Sequence, residues 1–260
     1  MRKKTIDAIR AHAMAEYPRE CCGLVVQVAR REIYWPCRNL ATGAEHFVMD
    51  PRDYTAAADA GTVRAVIHSH PDQQPLLIHE ADRVACEESE VPWFIVAVGR
   101  SEAGHVETRQ LVSFAPEGYE APLLGRPFAH GVLDCYSLIR DGYARELNII
   151  LPNFRRDDGW WEPGREGDLY MDHYAEAGFR PLAAGERTQF GDVVLMQIRS
   201  DRVNHSGMFI GDRPLREAPD LFPIPNAMLH HLYGRDSERV VYGGYWREAT
   251  RLILRHEGVE

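Results

Sequence analysis

Apolar positions recur with two periods along the first half of the chain. From Thr5 to Tyr17, the residues Ile6, Ile9, Ala13 and Tyr17 fall on one face at helical spacing, so this stretch reads as an amphipathic helix. "CGLVVQVA" and "EIYWPC" read as two strands joined at Arg30-Arg31. "DPRDYTAAADAG" begins with a capping Asp50 followed by Pro51 and ends in Gly61, the punctuation of a helix. "VRAVIHSH" is a β-branched strand, "IHEADRVACEESE" a helix, "PWFIVAVG" a buried strand and "HVETRQLV" a further strand. Alternating helices and strands over this first part predict an α/β sandwich with a mixed sheet.

The pattern breaks at "FAPEGYEAPLLGRPF", where three prolines and two glycines in fifteen residues read as a connector. A helix starting at Cys135 follows, then the loop "DDGWWEPGREGD" and a short helix ending at Gly178. "GDVVLMQI", "HSGMFIG" and "AMLHHLYG" read as strands, and "YGGYWREATR" as a turn and a final element. Helices followed by an antiparallel sheet make the whole an α+β protein of two domains, 1–113 and 128–260, joined by 114–127.

The 260 residues suffice for two ordinary domains. A net charge of −9 gives no electrostatic footprint for nucleic acid. No apolar run reaches about 18 residues, so no transmembrane helix is expected. The basic N-terminus lacks the apolar core of a signal peptide, so folding in a cytoplasm is expected. Five cysteines at irregular spacing argue against a disulfide framework. Cys21, Cys37 and Cys86 read as core or partly buried. Trp160 and Trp161 read as a packed or partly exposed loop, not as a sugar platform.

Two clusters carry candidate chemistry. His68 and His70 lie two apart on a strand and leave the same face near its C-terminal end. Asp82, in the first turn of the next helix, can fold back onto them. Two imidazoles and a carboxylate suit Zn2+, and three protein ligands leave a fourth position for water, whose pKa would fall to roughly 7. Glu20, just before a strand, is a candidate base for that water's proton. The second cluster starts at Cys135. A cysteine at a helix N-terminus meets the positive end of the dipole, which favours the thiolate. His205 and His230, each on a later strand, are candidates to complete a Cys–His arrangement. Asp134 reads as the helix cap and not as part of the chemistry.

The first set of motifs, "PRECCGLVV", "HSHP" and then Asp82, resembles the JAMM (JAB1/MPN/Mov34) metalloproteases. The resemblance implies zinc held by His68, His70 and Asp82, Glu20 as general base, and hydrolysis of a peptide or isopeptide bond. One position departs: His79 stands where that family has a serine that helps hold the oxyanion. His79 could donate a hydrogen bond there or serve as an extra ligand. The second set, "GRPFAHGVLDCYSLI", "FGDVVLM", "NHSGMFIGD" and "AMLHHLYG", resembles the NlpC/P60 cysteine peptidases, which have a papain-like fold. It implies Cys135 as nucleophile, His205 as base and His230 as the residue orienting His205, with His231 as rival for that last role. Departures are Tyr136-Ser137 after the cysteine and the proline-rich insert "RPLREAPDLFPIPN", which could shape a substrate groove.

The two domains in this order resemble the tail-tip assembly proteins of long-tailed phages, of the lambda K type, over about residues 5–250. That resemblance implies synthesis in a host cytoplasm and residence at the virion tail tip. It also implies other tail-tip proteins as partners and a peptidoglycan stem peptide as substrate. Two other readings stand beside it: a structural tail-tip protein with one or both sites inactive, and a bacterial isopeptidase or protease that uses the zinc site.

Overall fold

The computed structural model describes residues 1–44, 46–165 and 167–259. The chain forms two compact units, Met1–Glu120 and Ala121–Glu260. The first is built on five strands: β1 (Cys22–Val28), β2 (Arg31–Cys37), β3 (Thr62–Pro71), β4 (Trp93–Arg100) and β5 (Val106–Phe114). Their order is β2-β1-β3-β4-β5; only β3 and β4 run parallel, so the sheet is mixed. A parallel pair needs a crossover, and helix α3 (Glu80–Ser89) lies within it.

Strand alternation sorts the side chains onto two faces. Val25, Ala65, Ile67, Val96 and Val98 pack under Ile9 and Ala13 of helix α1 (Lys3–Glu16). Leu24, Val26, Val66 and Trp93 pack against Ala57 of helix α2 (Pro51–Ala60) and Cys86 of α3. Asp50 caps α2 as expected, its side chain accepting the Arg52 N–H at 2.8 Å.

The second unit begins with helix α4 (Cys135–Gly142), which runs into a π-helical turn, Tyr143–Leu147, and later helix α5 (Leu169–His173). Its sheet holds β6 (Phe179–Pro181), β7 (Val193–Met196), β8 (His205–Gly211), β9 (Ala227–His230), β10 (Glu238–Val241) and β11 (Thr250–His256). The order β10-β9-β8-β7-β11-β6 is antiparallel throughout. Leu138 and Ile139 of α4 pack on one face with Leu195, Met208, Ile210 and Leu229. Val194, Met196, Phe209 and Met228 form the other, under Ala249 and Trp246 at helix α6 (Tyr245–Ala249). The fold is α+β in two domains, as the sequence pattern implies.

Several elements differ from that pattern. β7 stops at Met196, two residues early, because the Asn204 side chain takes over the Ile198 N–H at 2.8 Å. β9 stops at His230, where the chain turns with Arg235 N–H on Leu232 C=O, so His231 lies beyond the strand. The helix expected to end at Gly178 covers only Leu169–His173; Gly178 itself takes a left-handed φ of 82° as β6 begins. β6 and β10 are additions, and the final element is β11, inserted between β7 and β6. Leu123 and Arg126, from the stretch that reads as a connector, are fully buried within the second unit. All five cysteines are free. Among the described residues no helix is long and apolar enough to cross a membrane.

Candidate functional site

In the first unit, β3 carries His68 and His70 onto the α3 side of the sheet, and α3 returns Asp82 to them. His68 Nε2 lies 3.0 Å from His70 Nε2 and 3.1 Å from Asp82 Oδ1; His70 Nε2 lies 3.5 Å from Asp82 Oδ2. Zinc–nitrogen bonds of about 2.0–2.1 Å at tetrahedral angles put ligand atoms about 3.3 Å apart. Taken through the two Asp82 oxygens the separations bracket that value, and one donor atom from each residue lies within 4.8 Å of the others, so the set could hold a metal ion. Among the described residues these three are the group able to hold a metal.

The surroundings orient the donors. His68 is wedged between Phe47 and Trp93, with ring centroids at 5.0 and 5.4 Å. His70 Nδ1 is 2.7 Å from Gln73 Oε1. Asp82 accepts the backbone N–H of His79, the residue capping α3, at 2.9 Å. Burial, with help from His68, pushes His70 down to about 4, so it is a neutral donor at physiological pH. Burial alone would raise the Asp82 carboxyl, but the His68 hydrogen bond and charge, together with His70 and the His79 N–H, outweigh it and hold it below its usual value. Glu20 is buried at the entry to β1 on the same side as Cys22. Burial pushes its carboxyl up to about 7; His68 opposes that shift and Asp82 adds to it. A carboxyl poised near neutrality beside the cluster has the acidity that a general base for water needs.

In the second unit, Asp134 caps α4 and so sets Cys135 at its first turn. The Asp134 carboxylate accepts the N–H groups of Ser137 and Gly131, both at 2.9 Å, and an Arg156 N–H at 2.6 Å. Cys135 Sγ lies 3.1 Å from Tyr170 Oη, which lies 2.8 Å from Ser206 Oγ. His205 and His230 meet across β8 and β9, His205 Nε2 to His230 Nδ1 at 3.0 Å, with the Trp246 ring 4.5 Å from that of His230. Glu238 Oε1 is 3.9 Å from His230 Nε2.

The structure thus joins His205 to His230 and places Cys135 beside Ser206, the residue after His205. Among the described residues no hydrogen bond links Cys135 to an imidazole. His231 is buried against Phe128, and among the described residues neither of its ring nitrogens has a hydrogen-bond partner. The expected thiolate is also corrected: burial and the Asp134 charge raise the Cys135 thiol pKa, against weaker help from Tyr170 and Ser206. Desolvation outweighs the helix dipole here. Burial pushes His205 to about 3 and His230 to about 4, so both rings are neutral.

The loop before α5 is fastened from below. Arg202 Nη1 donates to the carbonyls of Gly167 at 2.8 Å, Arg165 at 3.0 Å and Trp160 at 3.4 Å. Trp160 rests against Tyr170, ring centroids 5.9 Å apart, so it is a packing residue against the tyrosine that meets the thiol. Sequence reasoning missed Tyr170 and Gln73. The nearest signal for Gln73 is an amide side chain three residues after the second histidine of "HSHP".

Residues 2–112 match the family of prokaryotic homologs of the JAB domain, and residues 125–255 match the NlpC/P60 family. Tail tip assembly protein K of Escherichia phage N15 is 44% identical over all of this chain and 97% of its own length. The chain belongs to the tail tip assembly protein K family. The K protein of Escherichia phage lambda is 35% identical over 80% of this chain and 89% of its own. A solution structure of a protein from Desulfitobacterium hafniense aligns with 42% of this K-family chain and 87% of its own, at 23% identity and a TM-score of 0.31.

Proposed function

We propose that this chain is a tail-tip assembly protein that hydrolyses a peptide bond of peptidoglycan at Cys135. The full-length likeness to tail tip assembly protein K carries the tail assignment. The His205–His230 hydrogen bond, on the strand whose Ser206 meets Cys135, supports the chemistry. His205 takes the Cys135 proton as sulfur attacks the scissile carbonyl, then returns it to the leaving amine; water releases the acyl group from sulfur. His230 orients His205. On this reading the protein is made in the host cytoplasm, joins other tail-tip proteins and meets the stem peptide from the virion.

His68, His70 and Asp82 would hold Zn2+, which when bound supplies Lewis acidity toward water and a peptide carbonyl. Glu20 would take up the proton that the water loses.

A second reading, assembly without catalysis, is favoured by one observation: Cys135 is hydrogen-bonded to Tyr170 and, among the described residues, to no imidazole. Two measurements separate the readings. Turnover of a γ-D-glutamyl-diamino acid peptide by the purified chain, abolished in a folded Cys135→Ala variant, supports hydrolysis; turnover unchanged in that variant ends it. Phage carrying Cys135→Ala or His70→Ala that stay fully infectious assign the protein an assembly role alone.

A further inference from the structure

We propose that Gln73 is a positioning residue for the His68–His70–Asp82 centre, and that His79 works through Gln73 and not as a fourth ligand. The proposal rests on the zinc reading above.

The Gln73 side chain makes three contacts. Its Oε1 accepts the Leu77 backbone N–H at 3.0 Å and lies 2.7 Å from His70 Nδ1; its Nε2 lies 2.6 Å from His79 Nε2. A backbone N–H can only donate, so the Leu77 contact fixes which end of the amide is oxygen. An amide oxygen can only accept, so His70 Nδ1 carries the proton and its Nε2 lone pair faces His68 and Asp82. An amide nitrogen can only donate, so the His79 Nε2 lone pair is spent on Gln73. It is therefore not free to bind a metal. His79 instead stacks on His70, centroids 4.7 Å apart and planes 22° from parallel. Its backbone N–H holds Asp82 as well. One residue thus braces two ligands, the first through the Gln73 amide and the second through its own main chain. The histidine at the serine position leaves the three-ligand set unchanged.

The test has two arms on the full chain. The first is the zinc dissociation constant, from competition with a chromophoric chelator. Gln73→Ala is expected to weaken zinc about 10- to 100-fold. Gln73→Glu, which still accepts from His70 and Leu77, is expected to bind at least as tightly as wild type. His79→Ala is expected to lose less than about tenfold, and His70→Ala far more. The second arm reads the metal-free protein by 15N-histidine NMR. His70 is expected as the Nδ1–H tautomer in wild type and in Gln73→Glu, and as a tautomer mixture in Gln73→Ala. Zinc affinity within twofold of wild type in Gln73→Ala, with His70→Ala impaired, overturns the proposal and leaves the zinc reading standing. A loss in His79→Ala as large as in His70→Ala makes His79 a ligand and also overturns it. Failure of the wild type to bind zinc overturns both readings.

Discussion

The Asp134 carboxylate serves the Ser137 N–H of the helix, the Gly131 N–H of the preceding turn and a nearly buried arginine at once. Its pKa is held below the usual range: burial would raise it, and Arg156 and the Ser137 N–H more than compensate. Asp134→Ala removes a cap, about 0.5–2 kcal/mol, and strands Arg156; breaking a buried pair costs about 3–5 kcal/mol. Urea unfolding at pH 7 is expected to lose about 3–5 kcal/mol in Asp134→Ala and less in Asp134→Asn, which keeps the cap. Because the folded pKa is depressed, this stabilisation is complete above the ordinary aspartate value and fades as pH falls through the lowered one. The gap between wild type and Asp134→Asn should therefore close in acid. At Cys135 the sign is opposite. A raised thiol pKa means that iodoacetamide labelling should climb only above the ordinary value of about 8.5. Tyr170→Phe, which removes a bond that helps the thiolate, should shift the profile further up. Full labelling already at pH 7 would refute both. At this scale the pairing of His68 with His70 was legible because i and i+2 on a strand share a face. Tyr170 was not, since its hydroxyl reaches the sulfur from 35 positions away and nothing local marks it.

Among the strands that carry site residues, β8 was the most legible. β8 spans His205–Gly211, the bounds that its apolar run and terminal glycine imply. β6 and β10 were not legible: "FRP" and "ERVV" are short and carry exposed residues, so no apolar alternation announces them. The middle of β8 needs glycine for a spatial reason. A Cβ on Gly207 would sit 2.6 Å from Met228 Sδ and 3.2 Å from His230 Cβ. Gly207→Ala should therefore shift β9 and spoil the His205–His230 alignment. The expected outcome is at least a tenfold loss of peptide turnover, with the circular dichroism spectrum retained. Leu138→Ala, in the fully buried face of α4, should cost about 2–5 kcal/mol in denaturant unfolding.

Each compact unit has its own core and its own candidate chemistry, and the change in pattern near residue 114 made that division legible. What the pattern could not convey is that Leu123 and Arg126 are buried, because proline and glycine nearby mask a packed segment. Separate cores predict separate responses. Stripping metal with a chelator should lower the melting temperature of the first unit and leave the labelling rate of Cys135 unchanged. Alkylating Cys135 should likewise leave zinc stoichiometry unchanged. A labelling rate that follows metal content would mean the sites are linked.

Arg202 gathers three carbonyls of one loop under a single nitrogen, and that loop leads directly into the helix bearing Tyr170. The acidity of the sulfur is thereby leashed to a side chain that never touches it. Sever that one mooring and the tyrosine loses its fixed approach, so damage at position 202 would surface as altered behaviour at position 135.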